Sequence, residues 1–266
     1  MPKQDPFELA EAIKKKSPSF EADGRRFYIV ERDIQLEESE LLSYAERLLA
    51  VEPPAPAEDN PYGLVAATID GKPMRWKVGT VLRWSVDAKS FPKKPMVEQV
   101  AKLARAASGD WNAAATSAKL KISFAEAESG QSPVFRFQFE NFSDPNLYAV
   151  AFFPNDPAFK RVVRVGPTML KTGAQFDPVG VLRHELGHVL GFRHEHIRPE
   201  APRHIESWVV GTIGAQVLTN YDPRSLMHYP MTPGYGTTDF RLTDRDKEGL
   251  AALYRMKASA VREFSP

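Results

Sequence analysis

The sequence predicts an α+β fold, a mixed-sheet domain preceded by a smaller leading segment. Three observations carry this. Short β-branched and aromatic runs alternate with longer stretches of helical period. A proline-rich tract, VEPPAPAEDNPYG over 51–63, divides the chain and reads as a stiff, extended linker. The length, 266 residues, suits one or two domains that bury their cores without staples.

The elements follow in chain order. Asp5-Pro6 supplies an N-cap and a proline at the first helical position, with Glu8 three residues after the cap. Phe27 to Val30 predicts a strand. Glu37 to Ala50 predicts a helix, with Leu41, Leu42, Ala45, Leu48 and Leu49 on one side. Past the linker, Val78 to Val86, Leu120 to Phe124, Val134 to Phe139, Tyr148 to Phe153 and Arg161 to Val165 predict strands. Val97 to Ala115 predicts a helix. Asp177-Pro178 caps another that runs to Leu190, where Gly191 ends it. A last helix runs from Thr243 to about Lys257. The division expected is 1–60 as a leading segment and 61–266 as the main domain.

Charge and composition remove several function classes. Lys plus Arg is 35 against 34 for Asp plus Glu, which weighs against a nucleic-acid binder driven by bulk charge. Cysteine is absent, so no disulfide, thiol nucleophile or sulfur metal ligand is available. No apolar run reaches the roughly 18 residues of a membrane span. Met1 to Phe20 has no apolar h-region of a signal peptide, and both secreted and cytoplasmic locations stay open. Oligomeric state is not readable.

The chemistry concentrates in His184-Glu185-Leu186-Gly187-His188-Val189-Leu190-Gly191-Phe192-Arg193-His194. His184 and His188 are four apart and share a helix face. Both imidazoles can reach one ion at about 2.0–2.1 Å. Glu185 falls beside that ion, placed to hold and deprotonate a water there. Gly191 turns the chain so that His194 can swing round as a third ligand. Three of the six histidines fall at this spacing, which weighs against an ordinary buried helix. Three nitrogen ligands with a fourth position open are the form of a catalytic zinc site, with one Zn2+ as cofactor.

The eleven-residue skeleton is the metzincin metalloprotease signature. Its continuation, Gly191-Phe192-Arg193-His194-Glu195-His196-Ile197-Arg198, resembles the astacin family. Ser225-Leu226-Met227-His228-Tyr229 is similar to that family's Met-turn, and Leu242-Thr243-Asp244-Arg245-Asp246 with Leu253-Tyr254 resembles its closing segment. Trp76-Lys77-Val78-Gly79-Thr80-Val81 is similar to its first strand. The resemblance implies a zincin-like domain with a twisted mixed sheet, a zinc helix and an irregular C-terminal subdomain. Tyr148 to Phe153 is then the candidate antiparallel edge that pairs with an extended peptide substrate. It implies a zinc endopeptidase with Glu185 as general base and acid. Met227 becomes the floor under the metal, and Tyr229 an extra ligand that moves to the oxyanion. Glu195 becomes a buried tie that meets the processed amino terminus; as a bare residue it has an equal claim to a salt bridge with Arg193 or Arg198. His196, His204 and His228 receive no role.

Two departures matter. The missing cysteines point away from the animal secreted enzymes and toward a microbial branch. Val30-Glu31-Arg32-Asp33-Ile34 is similar to the family's F-x-G-D-I zymogen motif but has Arg32 where glycine is usual and Val30 in place of Phe. The expectation is that Asp33 occupies the open metal position and keeps the chain latent; the alternative is a solvated charge pair. The competing functions are a zinc-bearing peptide-binding module without proteolysis and a protease of another metzincin branch.

Overall fold

The computed structural model describes residues 5–49, 62–198, 200–201, 215–230 and 234–266. Asp5 caps α1 (Pro6–Lys16) by accepting from the Phe7 N–H at 2.9 Å. Strands β1 (Ser19–Ala22), β2 (Arg25–Val30) and β3 (Ile34–Glu37) follow as an antiparallel sheet, and α2 (Leu41–Leu49) closes the leading segment. Leu9, Ile13, Tyr28, Val30, Leu41 and Ala45 make a small core of their own. The helix predicted from Glu37 begins later. Glu37 still belongs to β3, its N–H is taken by the Glu40 carboxylate, and a single 3-10 turn over Glu38–Glu40 precedes α2. Ala50 lies outside the described residues.

Among its described residues the larger part contains two sheets. Strands β4 (Tyr62–Ile69) and β5 (Lys72–Trp76) are neighbours in one of them. After β6 (Val81–Val86) comes α3 (Lys94–Ser117), then β7 (Ser123–Glu126), β8 (Phe135–Phe139), β9 (Ala149–Val150) and β10 (Val162–Val165). These strands form the other sheet in the order β7-β6-β8-β10-β9, parallel except for β9 at its edge. The helix that carries His184 and His188 is α4 (Pro178–Leu190), followed by β11 (Phe192–Arg193), β12 (Ala215–Thr219), α5 (Asp244–Arg255) and β13 (Arg262–Phe264). β11 and β12 both pair with β4, and β13 runs parallel to β5.

Further sequence expectations change: the strand predicted over Leu120 to Phe124 lies instead at Ser123–Glu126. The linker stretch 51–63 ends inside β4, because Tyr62 and Gly63 already belong to that strand; 51–61 lie outside the described residues. Trp76 to Val81 is not one strand. It closes β5 and opens β6 across a turn at Gly79. The antiparallel edge is where the sequence places it but only Ala149–Val150 join the ladder, and the next residue, Ala151, bridges Ile34 of the leading segment.

The core lies between the mixed sheet and helices α3 and α4. Trp76, Trp84, Trp111, Phe135 and Phe137 fill it, each fully buried, and large side chains buried this way contribute about 1.5–3 kcal/mol each. Their polar edges do a second job. Trp111 Nε1 donates to the Arg183 carbonyl at 2.9 Å, Trp76 Nε1 to that of Val189 at 2.7 Å, and the Tyr254 hydroxyl to that of Leu190 at 3.1 Å. Helix α4 is thereby fixed from α3, β5 and α5. Among the described residues no helix is long and apolar enough to cross a membrane.

Candidate metal centre

Helix α4 starts where the Asp177 carboxylate accepts from the Val179 and Gly180 N–H groups, at 3.3 and 3.1 Å. Every residue from Gly180 to Leu190 is buried, so both faces of this helix are interior. Gly191 ends it with φ +107°, and a Cβ there would stand 2.5 Å from the Met74 carbonyl oxygen. Gly191→Ala therefore combines a left-handed backbone with a backbone clash. It should destabilise by more than about 1 kcal/mol, lowering the thermal midpoint by about 2–4 °C or more. An unchanged calorimetric midpoint would contradict this. Beyond the turn, Phe192 stacks on Trp111 at 5.9 Å and holds the chain so that His194 faces back to the helix.

The three imidazoles converge through Nε2. His188 Nε2 lies 3.2 Å from His194 Nε2. Asp33 of the leading segment meets all three, with Oδ2 3.1 Å from His184 and Oδ1 2.9 Å from His194 and 3.4 Å from His188. The rings are oriented from behind. His184 Nδ1 donates to the Leu226 carbonyl at 2.6 Å, His188 Nδ1 to that of Phe192 at 2.7 Å, and His194 Nδ1 to Glu31 Oε2 at 3.3 Å. With each N–H directed outward, the Nε2 lone pairs face one another and the carboxylate.

This donor set fits one Zn2+ ion. Four ligands at about 2.0–2.1 Å from a tetrahedral ion stand ~3.3 Å apart, close to the separations above. Asp33 Oδ1 is buried and makes no hydrogen bond among the described residues, a cost that a cation removes. Burial opposes the charge on Asp33, but His194, His188 and His184 hold its carboxyl well below the usual range.

The other expected residues surround this group. Glu185 is buried, and its Oε2 has no partner among the described residues; burial, aided by the Asp33 charge, pushes its carboxyl well up. The Tyr229 hydroxyl donates to Asp33 Oδ2, and its ring lies 5.6 Å from His184 and 5.1 Å from His194. Met227 is fully buried beneath α4, where a Cβ on Gly187 would come 2.5 Å from its sulfur. The Met-turn is pinned by Asp246, whose carboxylate accepts from Ser225 Oγ at 2.5 Å and the Leu226 N–H at 3.0 Å. Leu226 in turn orients His184.

Glu195 takes the Arg198 option. Its Oε1 accepts from Arg198 at 3.2 Å and from the Asp222 N–H at 3.0 Å, while Oε2 is buried without a partner among the described residues. Burial outweighs Arg198 and pushes its carboxyl up to about 8. Arg193 instead pairs with Glu31. His196 stacks on His194 at 4.7 Å, and His228 accepts at Nε2 from Tyr221 at 2.9 Å. His204 lies outside the described residues.

Glu31 is the residue that sequence reasoning did not single out. Glu31 and Arg32 both have left-handed backbone, φ +49° and +75°, a cost of about 1–2 kcal/mol each. The turn they make carries Glu31 and Asp33 together into the site, and the only local signal was the resemblance to a motif with glycine at position 32. A cavity of about 330 Å³ adjoins the centre, walled by Leu147, Tyr148, Phe176, Val181 and Phe240 with Arg32 and Glu185.

A family model, Astacin (Peptidase family M12A), matches residues 115–220. Over that segment the chain is similar to the astacin peptidases, and the side chains of Asp33, His184, His188 and His194 lie close enough together to hold a metal ion. The chain is 34% identical over 82 residues to human Tolloid-like protein 2, covering 24% of this chain and 8% of that protein. It is 29% identical over 125 residues to zinc metalloproteinase nas-36 of Brugia malayi, covering 41% of this chain and 20% of that one. It spans less than a quarter of the length of these curated relatives. The solved structure of myroilysin aligns with a TM-score of 0.48 at 20% identity, over 72% of this chain and 99% of that chain.

Proposed function

We propose that the chain is a zinc-dependent endopeptidase made in a latent form, with residues 1–60 as the restraining segment and 61–266 as the catalytic domain. The observation that carries the reading is the convergence of three histidine Nε2 atoms, with Glu185 buried beside them and Tyr229 opposite. His184, His188 and His194 hold the ion, which when bound polarises the scissile carbonyl and lowers the pKa of water to about 7. Glu185 accepts the proton of the attacking water and delivers it to the leaving amine. An extended peptide pairs with the β9 edge, the position at which Ile34 now bridges Ala151. Asp33 fills the fourth ligand position until the segment leaves. Glu195 Oε2, buried and unpartnered among the described residues, suits the amino terminus that processing creates.

Tyr229 is assigned to the oxyanion. Its hydroxyl now donates to Asp33; with Asp33 gone it donates to the developing negative charge. Tyr229→Phe should lower kcat by about 10²–10³ while zinc content stays at one ion per chain. Unchanged turnover would remove the assignment and favour another metzincin branch.

The test of the whole reading is casein cleavage and zinc content before and after controlled proteolysis within residues 51–61, ahead of β4. Activity should appear on cutting with zinc retained. Zinc-replete, cut protein that leaves casein intact would favour the peptide-binding module.

A further inference from the structure

We propose that Glu31 is a positioning residue of the metal centre: the leading segment orients the third ligand, His194, as well as occupying the open position. The inference rests on the zinc assignment and is independent of whether peptides are cleaved. Two ligand rings take their outer hydrogen bond from backbone carbonyls of the larger part, Leu226 and Phe192. The third takes it from a carboxylate of the leading segment, Glu31 Oε2. A carboxylate behind a ligating imidazole fixes its tautomer and ring angle and raises its basicity, and losing such a partner typically costs about 10–100-fold in metal affinity.

Glu31 is built for this place. It is 1% exposed. Its Oε1 is held by the Arg193 guanidinium and by the Tyr44 hydroxyl of α2 at 3.1 Å, which leaves Oε2 turned to His194. Arg193 immediately precedes His194, so one side chain of the leading segment clamps two successive residues of the ligand loop. Segment docking and metal binding are therefore coupled, and each strengthens the other by the same factor.

The experiment uses the full chain. Zinc affinity is measured by chelator competition, and the ligand field by the visible spectrum of the cobalt-substituted protein. Glu31→Gln should weaken zinc binding by about 10–100-fold and shift the cobalt bands. Glu40→Gln is the comparison, because Glu40 ties the same segment to Lys160 at 2.6 Å but touches no ligand; it should change neither quantity. Equal losses in both variants would mean that docking alone matters, and zinc affinity within twofold of wild type in Glu31→Gln would also overturn the proposal. Should Glu31→Gln fail to fold, NMR of the zinc-loaded wild type decides. A nuclear Overhauser contact between the His194 Nδ1 proton and the Glu31 side chain is expected, and its absence refutes the pairing.

Discussion

Glu185→Gln in the cut, zinc-loaded chain should cleave casein about 10²–10⁴ times more slowly than wild type, with zinc still bound. Position in the helix is the reason. Glu185 follows His184 by one residue, so its carboxylate stands beside the ligand set and belongs to the cleft, not to the coordination sphere. Its Oε2 has no partner among the described residues, and burial raises its affinity for a proton. A carboxylate so placed can take a proton from water and return it to an amine. Glutamine keeps the shape and loses the proton transfer, so kcat should fall while zinc content does not. Loss of zinc in proportion to activity would instead make Glu185 a structural support of the metal. Full activity would leave the proton transfer to another group.

The local part of this site was legible because helix geometry is local. Spacing of four puts His184 and His188 on one face, and a glycine at 191 is the residue that can take φ +107°. The Asp177 cap was legible for the same reason, whereas Thr243, read as the first residue of the last helix, is its cap. Long-range pairings were not. β4 opens within a proline-rich stretch and is rich in alanine, and β13 is three residues long, so neither carries a periodic signal. Met227 and Asp246 were visible only through resemblance, because their roles depend on α5 packing under the Met-turn. Glu31 was invisible because an acid beside an arginine reads as a solvated pair. Only tertiary contact with Arg193 and His194 gives it a different meaning.

Asp33→Ala should make the uncut chain active. Coupling between docked segment and open site of the usual size, about 5–150-fold, sets the expected gain, read as casein cleavage by full-length protein without added protease. In the proposed latent form Asp33 blocks the site in two ways: its carboxylate fills the position where water must enter, and it holds the Tyr229 hydroxyl away from the substrate. The variant removes both while the segment core of Leu9, Ile13, Val30 and Leu41 stays intact. Acid should loosen the docked segment in the metal-free chain. Asp33 and Glu31 both titrate below the ordinary carboxylate range when docked. Their contribution to docking is then present above the undocked values near 4 and is lost as pH falls through their lowered docked range. Hydrogen exchange of β2 and β3 should therefore accelerate over that interval before the larger core opens. An Asp33→Ala chain that stays silent until it is cut would show that the segment excludes substrate by bulk alone, with Ile34 on the β9 edge as the blocking contact.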